Sequence, residues 1–165
     1  MLLTLILSLT VILFVLLMLY SAVALIQKKA LFSSAPKDIQ AAIRDREKER
    51  FKGARILGVI LLVISMLGFV GAFLYGAIDG IQKNFLLWQF FLRFLTMLYI
   101  FKAFDIICLD WLLLTKSHFF QHYYPETIGC EGYRKLGFNR KSQITKILIF
   151  PFVSFAAALI CRFFA

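Results

Sequence analysis

Four apolar runs, Leu2–Ile26, Ile56–Ile78, Phe85–Thr115 and Ile147–Phe164, dominate this chain, and each is long enough to cross a bilayer. They predict an all-α fold: a polytopic integral membrane protein, a four-helix transmembrane bundle forming one domain over residues 1–165. Composition agrees, with 61% hydrophobic and 17% charged residues placing the chain outside the soluble range. Two loops remain, 27–55 and 116–146, too short for a soluble domain.

The net charge of +10 is the balance of a nucleic-acid binder, but its placement argues against that partner. Lys28, Lys29, Lys37, Arg44, Arg46, Lys48, Arg50, Lys52 and Arg55 crowd the first long loop and its edges, and Lys116, Arg134, Lys135, Arg140, Lys141 and Lys146 the second. The short Asp79–Asn84 turn holds one cation, Lys83. This asymmetry predicts a multi-pass protein of the cell membrane with both long loops cytoplasmic and both termini outside. Its partners are then the lipid bilayer and, at the basic loops, anionic lipid headgroups. Cys108, Cys130 and Cys161 have no metal-type spacing and imply no disulfide. Ala22-Val23-Ala24 resembles a cleavage site, but the length of the apolar run and the Lys28-Lys29 stop favour an uncleaved first helix.

The third run is the one with charges deep inside it. Trp88 and Trp111, 23 residues apart, bracket roughly 35 Å of α-helix, a fair match to the hydrocarbon core. On that scale Asp110 lies at one interface and Arg93 near the other, close enough to snorkel outward. Lys102 falls near the midpoint, with Asp105 between it and Asp110. A bare charge at such depth costs about 2.5–3.5 kcal/mol. Lys102 and Asp105 share an α-helical face, so they are expected to pair and to point into a bundle or a wet cavity.

In the first loop Ser34, Pro36 and Asp38 read as a helix start. Ile39 and Ile43 form a stripe that predicts a short amphipathic cytoplasmic helix, lying on the inner headgroups or extending the second span in solvent. Gly53 marks a break before the membrane. In the second span Gly68, Ala72, Gly76 and Gly80 recur every four residues, a smooth stripe for close helix packing. That packing is expected within the monomer, with homodimerisation as the alternative.

Beyond the third run, His118 and His122 stand at i and i+4, a spacing two ligands of one metal use, with Glu126 four further on. Pro125 leaves the direction of that carboxylate open, and no fourth ligand is evident. Thr127–Lys146 reads as a turn-rich loop whose Tyr133 and Phe138 tuck under the bundle. Pro151 kinks the last span or sits in its first turns, Ser154 and Ala158 continue the small-residue theme, and Arg162 anchors the end.

Three function classes follow, and no cofactor is indicated. One is a non-catalytic assembly or accessory subunit, packing against itself or another membrane protein through the glycine-rich second helix. Another is a small transporter or proton or ion relay using Lys102, Asp105 and Asp110. The third is a membrane enzyme acting on a lipid headgroup with Asp110, His118, His122 and Glu126 gathered at the cytoplasmic interface.

Overall fold

The computed structural model describes every residue except Leu136 and Phe138, so the expectation for Phe138 lies outside the described residues. Among the described residues there is no strand and 80% of the chain is helical. Backbone polar groups are thereby satisfied within their own segments, as lipid requires. The α-helices are α1 (Leu2–Tyr20), α2 (Lys37–Ala42), α3 (Ala54–Gln82), α4 (Leu87–Phe104), α5 (Phe119–Tyr123) and α6 (Arg140–Phe163). Two wider, π-helical stretches follow α1 and α4, at Ser21–Ile26 and Asp105–Lys116.

Among the described residues, three stretches are long and apolar enough to cross a membrane: Leu2–Ile26, Ala54–Gln82 and Arg140–Phe163. The run Phe85–Thr115 is not among them. Its α-helical part carries Arg93 and Lys102, and its π-helical part carries Asp105 and Asp110. The last helix begins well before the apolar run that predicts it, because Arg140, Lys141 and Gln143 are good helix formers and carry the turn pattern into polar sequence.

The chain divides into two compact units, Met1–Val15 with Met66–Phe104 and Arg140–Ala165, and Leu16–Ser65 with Asp105–Asn139. In the first, α3 ends in a Schellman motif around Asn84, whose φ is +50°. Phe85 N–H donates to the Gly80 carbonyl at 2.9 Å and Asn84 N–H to that of Ile81 at 3.0 Å. Gln89 then reaches back to accept from Leu86 N–H at 2.8 Å, half of a capping box that starts α4.

The small-residue stripe of α3 faces its own chain, and side chains fill its notches where close backbone approach was expected. A Cβ on Gly68 would strike the ring of Phe14, and one on Gly80 the ring of Phe90. At Gly76 the nearest atom is Leu7 Cδ1 at 3.2 Å, with Arg93 Cδ at 3.6 Å. Ala72 is buried with Leu7, Val11 and Met97. A second cluster joins α4 to α6 through Phe90, Phe94, Ala158 and Cys161. Pro151 lies inside α6, where it removes the N–H that would bond to Ile147. The Tyr99 hydroxyl of α4 donates to the Ile147 carbonyl at 3.4 Å instead.

Arg93 does not snorkel. Its side chain is 5% exposed, and Nη1 donates to the Gly76 carbonyl at 2.6 Å and to Asp79 Oδ2 at 2.8 Å. The guanidinium lies 4.4 Å from the centre of the Phe85 ring, and Lys83 Nζ meets the other oxygen of Asp79 at 2.6 Å. The partner was hidden in the sequence because Asp79 reads as part of a turn, whereas α3 runs on to Gln82 and aims its carboxylate at α4.

Candidate functional site

In the second unit the two long loops interlock. A 3₁₀ turn over Lys29–Phe32 and the six-residue α2 turn Phe32, Ile39 and Ile43 inward against Leu114, Tyr124 and Tyr133. The Ile39–Ile43 stripe, expected to meet headgroups or water, is therefore covered by aromatic side chains of the second loop, and each isoleucine is 2% exposed. Phe32 meets the edge of Tyr124 at 4.8 Å between ring centres.

Polar contacts fasten this core. Arg46 Nη2 donates to Glu126 Oε2 at 2.7 Å and to the Tyr123 carbonyl at 3.2 Å. Gly132 N–H donates to Asp38 Oδ2 at 2.7 Å, and a Cβ at Gly132 would lie 2.6 Å from Pro36 Cβ, so only glycine fits. That hydrogen bond holds the Asp38 carboxyl below its ordinary range. Thr127 Oγ1 donates to the Tyr124 carbonyl and shares a 2.7 Å hydrogen bond with the Tyr133 hydroxyl. Burial pushes both tyrosine hydroxyls up from their usual range, Tyr124 the more strongly. Arg55 Nη2 donates to the carbonyls of Arg46 and Glu47, which ties the start of α3 to the same assembly.

Beside this core is a cavity of about 140 Å³. Leu19, Val23, Phe32, Ile39, Leu114 and Phe120 supply most of its apolar wall, and Asp105, Asp110 and Ser34 its polar side. The π-helix accounts for the two carboxylates. In an α-helix residues five apart diverge by about 140°. Each π-helical turn takes in more residues, so positions i and i+5 come onto one side. The wide turn is visible at its end, where Ser117 N–H donates to the carbonyl of Leu112, five residues back, at 2.8 Å. Asn139 Nδ2 donates to Asp110 Oδ2 at 3.4 Å.

The remaining residues singled out by the sequence fall as follows. Lys102, 3% exposed, belongs to the first unit, while Asp105 and Asp110 belong to the second. His118 is the N-cap residue of the short helix α5 and His122 lies in its last turn, and both are exposed. Among the described residues no group of three His, Cys, Asp or Glu side chains forms a metal-type cluster. Glu126 is occupied by Arg46 and lies 3.4 Å from the backbone N–H of Arg44. The sequence offered no signal for the Arg46–Glu126 and Asp38–Gly132 contacts, whose partners stand about eighty and ninety residues apart. No protein-family model, curated protein or solved structure matches the chain.

Proposed function

We propose that the chain is a four-span integral membrane protein acting as a non-catalytic assembly or accessory subunit, with Phe85–Thr115 as the fourth crossing and the long loops facing the cytoplasm. One observation carries this reading: Glu126, the carboxylate best placed in sequence to work with His118 and His122, is engaged by Arg46 in fastening the two loops together. The contact gives the loop side a built, persistent shape. Because the small-residue stripe is filled by Phe14, Leu7 and Phe90, the partner meets the loops rather than that stripe. The test is native mass spectrometry of the chain extracted from its own membrane. A fixed stoichiometric assembly that loosens in Arg46→Ala and persists in His122→Ala supports the proposal. A chain extracted only as a monomer overturns it.

A second reading, a proton or ion relay, is favoured by the cavity that Asp105 and Asp110 line together. Ionisable groups at membrane depth mark such pathways. Proteoliposomes showing a pH-dependent flux that Asp105→Asn abolishes would establish it in place of the first.

A further inference from the structure

We propose that the first loop grips the bilayer surface at two points, Leu31 and Phe51 entering the headgroup boundary while the cations beside them hold anionic lipid phosphates. The inference rests on the membrane reading above, in which Leu2–Ile26 and Ala54–Gln82 both cross. A loop joining two consecutive crossings begins and ends at the same bilayer face. Leu31 stands five residues beyond the first crossing and Phe51 three before the next, so both lie at that face.

Each apolar side chain is turned outward by local structure. In the 3₁₀ turn Leu31 N–H donates to the Lys28 carbonyl at 3.1 Å, with Phe32 buried and Leu31 39% exposed. Phe51 is 49% exposed in a turn closed by Gly53 N–H to Glu49 Oε2 at 2.8 Å and Ala54 N–H to the Phe51 carbonyl at 3.0 Å. Gly53, at φ +86°, permits that turn. Single exposed apolar residues are ordinary on soluble surfaces, but these two sit where membrane helices meet headgroups.

Charge complementarity names the occupant. Lys28 and Lys29 precede Leu31, Arg50 and Lys52 flank Phe51, and all four are exposed. The Arg50 guanidinium lies 5.2 Å from the Tyr123 ring centre, which limits its range. Of the nearby acids, Asp45 accepts from Lys29 N–H at 2.6 Å and Glu49 from Gly53 N–H, so backbone donors partly offset both; Glu47 is exposed. Cations beside inserting apolar side chains bind anionic lipid by adding surface attraction to apolar burial.

The experiment places the full chain in nanodiscs and compares spin-labelled phosphatidylglycerol with phosphatidylcholine for association with the protein. Wild type should prefer the anionic lipid about fivefold or more, the factor that one cation's surface attraction supplies. The preference should fall near one in the variant Lys28→Gln, Lys29→Gln, Arg50→Gln, Lys52→Gln. The indole introduced by Phe51→Trp, with Trp88→Phe and Trp111→Phe, should be quenched by lipids brominated along their acyl chains. Equal association in wild type, a preference surviving in the glutamine variant, or an indole that escapes quenching would each overturn the clamp. A chain that enters nanodiscs without lipid preference defeats the clamp alone, whereas one that fails to enter them defeats the membrane reading.

Discussion

The Tyr99 hydroxyl stands 3.4 Å from the carbonyl of Ile147, the acceptor that Pro151 leaves without a donor. Lipid offers no water to that carbonyl, so a side chain from α4 takes the place of the missing N–H. Tyr99→Phe should destabilise the protein in detergent by about 1 kcal/mol. In a Pro151→Ala background, where the helix supplies its own N–H, the same change should cost clearly less. An equal cost in both backgrounds would show that the hydroxyl does nothing for Ile147.

Two glycines of α3 should respond in opposite ways to one methyl group. At Gly80 the added Cβ meets the ring of Phe90, whereas at Gly71 nothing lies within 4 Å. Gly80→Ala should lose about 1–3 kcal/mol by overpacking, and Phe90→Leu should recover part of it. Gly71→Ala should be neutral or slightly stabilising, since alanine is the better helix former. Thermal unfolding of the two single variants decides the matter, and similar losses would contradict the packing described for the stripe.

The helices and the Gly53 break are legible in the sequence because apolar runs and glycine act locally. The loop assembly is not, since Asp38, Arg46, Glu126 and Gly132 meet across long separations with no periodic pattern. The carboxylates of the third run show a different failure. An α-helical wheel sets Asp105 and Asp110 on different faces, but the wider turns after Phe104 place both along one cavity. No residue pattern announces that change of pitch.

Removing Asp79 should be far more damaging than removing Lys83, although both belong to one ion-pair cluster. Asp79 is the carboxylate against a guanidinium that is 5% exposed, while the Lys83 side chain is 59% exposed. Asp79→Ala strands Arg93 and should cost about 3–5 kcal/mol. Lys83→Ala should cost less than about 1 kcal/mol. Chemical or thermal unfolding in detergent is the measurement, and comparable losses would mean that Arg93 is solvated in some other way.

The Asp38–Gly132 contact should weaken in acid. The Gly132 N–H holds the folded carboxyl below its ordinary range, near 3.9 in an unfolded chain. The contribution is therefore complete above that unfolded value and is lost as pH falls through the lower, folded one. Hydrogen exchange at Gly132 should accelerate on acidification beyond the change in intrinsic rate, and Asp38→Asn should remove the pH-dependent part. An unchanged profile in the variant would assign the acid sensitivity elsewhere.

The Arg46–Glu126 contact also sets an order of events during synthesis. Arg46 leaves the ribosome some eighty residues before the carboxylate that holds it. Through that interval the third apolar run is made, and Ile39 and Ile43 have no second loop to cover them. The first loop is thus an unfinished half until translation passes Glu126, and nascent chains stalled before that point should offer it to proteases and chaperones. Its maturation is timed by the growth of the chain rather than by anything within its own sequence.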